Sequence, residues 1–407
     1  MKDSNIIDIK DIKKRAKQLK NKKANSRDTA PNLQRAFYES DDKDRTKILI
    51  KLKNLEKYLS TKDVDTKIVN QQIDDILDVN KQYFLKLYQR FLPFIAKHKK
   101  GSIEEVIDYA VTSNGKRIRA FLILLIFYFN KGAFYQNIEP FMLAIELIHA
   151  FSLVHDDLPA LDNDELRRGK PSTWKKFGEA EAILAGDAML NTAYNVLFDY
   201  YLFISNLDIK DMVGLYDEVD FTDTSLFSVK KNDIYAYGML QDLLQHYQIS
   251  MATLCAGTGI FGMIDGEFKD IKYTKKKVSN EKTFEMYVEK TAALISVPMQ
   301  IGAIMSFVPE RNDIAIYTKI GVDIGILYQL NDDLLGMIGD EKKVGKPIGS
   351  DKKNKKNLAI NTVKELEKEI KHQKDLIEKE IDKIKMLDMN KKRVFKAFLL
   401  YLSNRDH

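Results

Sequence analysis

Asp156, Asp157, Asp162 and Asp164 lie within nine residues and are followed at once by Arg167 and Arg168. Carboxylates this dense repel one another unless cations neutralise them. A hard divalent cation suits such a cluster, because Mg²⁺ takes oxygen ligands and fills its remaining positions with water and substrate phosphates. On an unbroken helix Asp156 and Asp162 would point about 240° apart and could not address one site. Pro159 disfavours helical geometry at Leu158 and removes an amide donor, so the chain is expected to leave the helix there and turn back. Both carboxylates can then face one metal pair. Spacing alone equally allows a solvated acidic helix end paired with Arg167 and Arg168.

Three further groups carry the right chemistry for an anionic, metal-bound substrate. In Asn114-Gly115-Lys116-Arg117-Ile118-Arg119, a glycine lets backbone approach a phosphate closely while Lys and Arg supply charge and forked donors. Read by itself, the segment is as well explained by a basic surface turn. His149 stands seven residues before Asp156, two turns back on the same helix face; a lone histidine on an apolar helix is more often a core residue. A second acidic stretch, Tyr328 to Gly336, contains Asp332 and Asp333.

Helices must position these groups. Among 407 residues there are only 19 Gly and 8 Pro, and no alternating pattern bounded by tight-turn dipeptides marks a strand. Apolar stripes of helical period run through Glu139 to His155, Glu181 to Phe203, Asp233 to Phe261, Thr283 to Phe307 and Asn312 to Ile338. The apolar run Ala120 to Phe129 is too short to span a bilayer and reads as a buried helix; no transmembrane segment is expected. The fold class is therefore all-α.

Residues 1–65 are rich in Lys, Asn and Asp and read as a poorly ordered extension holding at most one helix, with the folded domain spanning 66–407. An acidic stretch at about 205–232 breaks the helical pattern and reads as a polar insertion. The net charge of +6 is small and unaccompanied by any recognition motif, so nucleic acid is not an expected partner. A single cysteine, Cys255, implies a reducing compartment. The cytoplasm is the default, or a plastid or mitochondrion if the Lys-rich start is a targeting remnant.

Residues 156–172, DDLPALDNDELRRGKPS, resemble the first aspartate-rich motif of the polyprenyl synthases, in the DDxxxxD form of bacterial and plant-type farnesyl and geranylgeranyl diphosphate synthases. The resemblance implies an isoprenoid-synthase-type helical bundle around a central cavity. It implies Mg²⁺ on Asp156, Asp157 and Asp162, and substrate diphosphates on Arg167 and Arg168. Gly115, Lys116 and Arg119, in a segment similar to the family's GGKRxR, would hold isopentenyl diphosphate together with His149, although Asn114 replaces the first glycine and Ala120 the usual proline. Lys290-Thr291 matches a KT pair that the family places at a helix kink over the allylic diphosphate, and Gly266-Glu267 stands where the family usually has Gly-Gln. In the second motif Gln329 contacts substrate, Asp332 reaches a third Mg²⁺ and Asp333 assists, while Gly336 replaces the last aspartate of DDxxD and Asp340 lies one turn beyond. Lys346 and Lys356 match lysines that close over the diphosphate, and the ending Arg405-Asp406-His407 resembles that of bacterial farnesyl diphosphate synthases.

The implied reaction condenses isopentenyl diphosphate with dimethylallyl, geranyl or farnesyl diphosphate, using three Mg²⁺. Asp156, Asp162, Arg167, Lys290 and Lys346 form the catalytic set. Phe151 and Ser152, about one turn before Asp156, stand where the family reads chain length; Phe151 would cap the product tunnel and, with the two-residue motif insertion, favour a C15 product, with C20 close behind, although packing alone also allows Phe151 a place in the core. A homodimer is the expected assembly. Two other readings remain at this stage. A class I terpene cyclase shares the fold but needs no isopentenyl site, and a noncatalytic synthase-like regulatory subunit would explain Gly336 and Glu267.

Overall fold

The computed structural model describes residues 43–403 except 207–232, 275, 277, 308–310, 339–358 and 361. The reading of a targeting remnant in the N-terminal residues, the insertion, Lys346, Lys356, Asp340 and the chain end at 405–407 all lie outside the described residues.

The helices, in chain order, are α1 Lys43–Leu59, α2 Thr66–Phe91, α3 Ile103–Thr112, α4 Ile118–Phe129, α5 Glu139–Asp156, α6 Glu179–Ser205, α7 Asp233–Thr258, α8 Met263–Tyr273, α9 Asn280–Tyr287, α10 Ala293–Met305, α11 Arg311–Ile338, α12 Val363–Lys383 and α13 Met389–Ser403. The helical periods read in the sequence fall on α5, α6, α7, α9 to α10 and α11. A helix that is apolar on every side must be enclosed. α4 is such a helix: every residue from Ala120 to Phe127 is buried, with α5 on one side and α10 on another. Two helical stretches, Tyr135–Asp156 and Gly238–Tyr273, are long and apolar enough to cross a membrane; the first is 78% buried inside the protein.

The folded body starts earlier than the expected boundary at residue 66. Ile48, Leu52 and Leu55 of α1 lie one to two turns apart and are fully enclosed against α2 and its neighbours, each contributing roughly 2 kcal/mol of burial. Arg45 of α1 reaches the Glu139 carboxylate at 3.3 Å, where Tyr83 Oη also donates at 2.5 Å and Arg90 completes the set. Glu139 is 1% exposed, so this group of donors is what permits its burial. Residues 43–59 therefore belong to the core and not to an extension.

The described residues also contain one hairpin that the sequence pattern did not reveal. Leu166–Arg167 pairs antiparallel with Lys170–Pro171, with Leu166 opposite Pro171 and Arg167 opposite Lys170. Two residues per strand are too few to show alternation. Arg168 and Gly169 form its tip, with φ of +53° and +75°, the pair of positive angles that a tight two-residue turn needs.

Candidate active site

A cavity of about 1040 Å³ opens among α5, α6, α8, α10 and α11. Its lining combines apolar side chains, Phe151, Leu190, Phe268 and Leu294 among them, with charged ones, among them Arg168, Asp332 and the interacting pair Asp156 and Lys290. That combination suits a ligand with a charged head and a hydrocarbon tail.

The first acidic segment folds as Pro159 dictates. α5 stops at Asp156, and the chain returns over its end: Asp162 N donates to Asp156 O at 2.9 Å and Asp164 N to Asp157 O at 3.1 Å. The turn leaves Asn163 at φ +54°, a conformation that Asn tolerates. Asp156 lines the cavity, where burial first, then the Glu267 carboxylate, with Asp162 adding, push its carboxyl up to about 7 against the opposing charges of Lys290 and Arg167. A carboxylate held so high by its neighbours is a strong attractor of cations.

Asp157, the other aspartate expected to meet metal, has its carboxylate engaged within the protein. It is 2% exposed and accepts from Arg167 Nε at 2.9 and 3.2 Å, with Arg167 Nη2 also on it. Asp333 is likewise 5% exposed and taken up by Tyr287 Oη at 2.7 Å and Gln329 Nε2 at 3.1 Å, whereas Asp332 faces the cavity. Each aspartate pair thus gives one carboxylate to the cavity and one to the scaffold. Burial opposes the charge on Arg167, but Asp157 outweighs it and holds the guanidinium above its ordinary range.

The hairpin carries Arg168 across to the loop before α4. Its Nη1 donates to Ser113 Oγ at 3.2 Å, and a Cβ added at Gly115 would lie 2.6 Å from that nitrogen, so a larger residue there would have to displace the guanidinium from the loop. Arg117 within the loop is structural: 5% exposed, with φ of +53°, it donates to the Val111 and Ser113 carbonyls. Arg119 and His149 reach the cavity. Burial, then the guanidiniums of Arg119 and Arg168, hold the His149 imidazole well below its ordinary value, which keeps it neutral among cations. Burial and then Arg117 draw Arg168 down to about 10, so it stays charged at neutral pH. Lys116 sits outside the cavity wall, 3.0 Å from Asp74 of α2 and 4.8 Å from the ring centroid of Tyr401 of α13, whose hydroxyl it also meets.

On the facing wall, Val288–Ala292 makes one π-helical turn between α9 and α10. Such turns often mark functional positions because they re-aim side chains without ending the helix. Lys290 Nζ lies 2.6 Å from Glu267 and 2.5 Å from Asp270, both on α8. Burial works against its charge, yet Glu267, then Asp270 and Asp156, hold the ammonium well above its usual range. Thr291 Oγ1 donates to Gln329 Oε1 at 3.1 Å, linking the turn to α11. Phe151 is 6% exposed and lines the cavity with its ring edge-on to His155 at 5.6 Å; Ser152 also lines the cavity and donates to the His149 carbonyl at 3.0 Å.

The cavity wall thus brings together Arg119, His149, Phe151, Ser152, Asp156, Arg167, Arg168, Lys290, Thr291, Gln329 and Asp332. Asp157, Asp162, Asp333, Gly115 and Lys116 stand behind or beside it. Asp270 and Tyr401 escaped the sequence reading. Asp270 follows Glu267 by three residues on one helix face, a spacing that points both at Lys290, whereas nothing local marks Tyr401. Among the described residues no three His, Cys, Asp or Glu side chains converge as a complete metal cage. A few separated carboxylates that need phosphate oxygens to complete a coordination sphere fit Mg²⁺.

The family model of polyprenyl synthetase matches residues 100–223 and 228–398. The chain is 31% identical over 292 residues to a farnesyl diphosphate synthase of Micrococcus luteus, covering 71% of this chain and 84% of that one. A geranyltransferase structure from Legionella pneumophila superposes with a TM-score of 0.61 at 25% identity, covering 84% of this chain and 98% of that one. A geranyltransferase from Helicobacter pylori, complexed with magnesium and isoprenyl diphosphate, gives 0.57 at 23% identity over 79% of this chain and 96% of the other.

Proposed function

The chain belongs to the polyprenyl synthetase family and is a prenyltransferase, and we propose that it condenses isopentenyl diphosphate with dimethylallyl or geranyl diphosphate to release a C15 diphosphate. The observation that carries this reading is one cavity lined both by cations and carboxylates and by apolar side chains, Phe151 among them. Nothing in the comparisons favours a regulatory subunit.

Bound Mg²⁺ supplies charge neutralisation for a departing diphosphate. Asp156, with Asp162 beside it, and Asp332 would hold it, with Asp157 and Asp333 serving as anchors. Arg119, Arg168 and His149 form the seat of isopentenyl diphosphate, with Lys116 at its edge. Lys290 and Thr291 take the allylic diphosphate. The allylic C–O bond breaks with its electron pair going to the diphosphate, the isopentenyl double bond forms the new C–C bond, and the adjacent carbon gives up a proton to the released diphosphate. Charge separation is the barrier, so fixed guanidinium and ammonium groups at the diphosphate end are the largest contribution the chain makes.

The assembly proposed is a homodimer. Leu184, Phe198 and Leu202 fall on one face of α6 and are 44 to 59% exposed, and Ile249 of the adjoining α7 extends the same apolar surface. A second copy is the occupant that suits a self-complementary helical face. Light scattering at micromolar protein should give twice 47.0 kDa, and a monomer at that concentration removes the proposal. For the reaction, purified protein with Mg²⁺, isopentenyl diphosphate and each allylic diphosphate should yield farnesol after dephosphorylation. Absence of any prenyl product, or equal product in EDTA, would refute the assignment.

A further inference from the structure

The cavity is lined by four cations and four carboxylates, so its wall is close to neutral although its ligand is an anion. The imbalance is local. Around Lys290 a single ammonium meets Glu267 at 2.6 Å and Asp270 at 2.5 Å, and the Asp156 carboxylate also acts on it. Of the two direct partners only Glu267 lines the cavity. Its side chain is 20% exposed and that of Lys290 22%, so solvent screens the pair only in part. Before any metal enters, this wall therefore presents a diphosphate with a satisfied ammonium flanked by carboxylates. We propose that Glu267 is a positioning residue that holds the Lys290 ammonium and repels diphosphate until divalent metal is bound, making capture of the allylic substrate metal-linked. The proposal rests on Lys290 being an allylic diphosphate ligand.

The consequence is a coupling free energy. A metal that neutralises the carboxylates raises diphosphate affinity, and diphosphate raises metal affinity by the same factor. An amide at position 267 keeps size and hydrogen bonding but removes the charge, so the coupling must shrink. Calorimetric titration of the full chain with geranyl diphosphate, isopentenyl diphosphate being omitted, reads this with no turnover required. In EDTA, Glu267→Gln should bind geranyl diphosphate about tenfold more tightly than the parent, the size expected for removing one partly screened like charge. In saturating Mg²⁺ the two should agree within a few-fold. Glu267→Asp, which keeps the charge, should retain the parent's metal dependence, and this separates a charge effect from a packing effect. Lys290→Gln supplies the remaining control and should weaken binding in Mg²⁺. Unchanged affinity of Glu267→Gln in EDTA, with Lys290→Gln impaired, overturns the role of Glu267 and leaves Lys290 as a ligand. Unimpaired binding by Lys290→Gln overturns the ligand assignment and the inference with it.

Discussion

A helix advances about 100° per residue, so neighbouring aspartates at the end of α5 leave it on different sides. Asp156 enters the cavity, while Asp157 is enclosed and bound by Arg167. The two positions should therefore fail differently when altered. Asp156→Ala should lower kcat by roughly three orders of magnitude through lost metal binding, with helicity and melting temperature preserved. Asp157→Asn strands a guanidinium beside a neutral amide and should cost about 3 kcal/mol of stability, seen as a lower denaturation midpoint. Wild-type turnover in the first variant, or an unshifted midpoint in the second, contradicts the division. Composition and spacing made the acidic motif legible, and Pro159 made its turn legible. Which carboxylate of a pair faces inward was not legible, because that depends on Arg167 and Tyr287, residues 10 and 46 positions away.

Elements set what residues can reach. The helices were readable because apolar periodicity over fifteen or more residues admits few alternatives, and the enclosure of α4 followed from its lack of a polar face. The irregular turn at Val288 to Ala292 was legible only through the resemblance, which implies a helix kink at Lys290-Thr291; residue types alone do not mark it. Its place is fixed by α11: a Cβ at Gly325 would fall 2.2 Å from Ala292 Cα. Gly325→Ala must push the two helices apart, and overpacking of this kind costs about 1–3 kcal/mol. A lowered melting temperature together with a raised KM for the allylic substrate is expected, because Thr291 and Gln329 span the same contact. An unchanged melt would show that the helices separate freely. The phosphate loop depends on longer connections still. Asp74 of α2 and Tyr401 of α13 both hold Lys116, although Tyr401 lies 285 residues beyond it. Tyr401→Phe should raise KM for isopentenyl diphosphate about fivefold, equivalent to roughly 1 kcal/mol, and leave that for the allylic substrate alone. Equal effects on both constants would indicate a general loosening of α13.

Product length belongs to the whole molecule, because the cavity exists only where five helices meet and its depth is set by whatever closes it. Phe151 stands five residues before Asp156, buried on the floor and braced edge-on by His155. On the proposed reading, a C15 chain whose diphosphate lies beside Lys290, with metal on Asp156, would extend toward this ring. Phe151→Ala removes the ring and its support from His155, which deepens the floor without touching the cations or carboxylates at the other end. The product should move from C15 toward C20 and longer, with kcat for the first condensation within a few-fold of the parent. Stability should fall as well. A fully enclosed Phe replaced by Ala costs about 3–5 kcal/mol, and less is expected here because one face of the ring already borders open space. Phe151→Leu tests the mechanism more finely, since it keeps most of the packing while shortening the cap; it should recover the melting temperature yet still yield some C20. Chromatography of the dephosphorylated alcohols beside thermal melts of both variants distinguishes a cap from a core residue. An unaltered C15 product from a destabilised Phe151→Ala enzyme would place the floor of the cavity elsewhere.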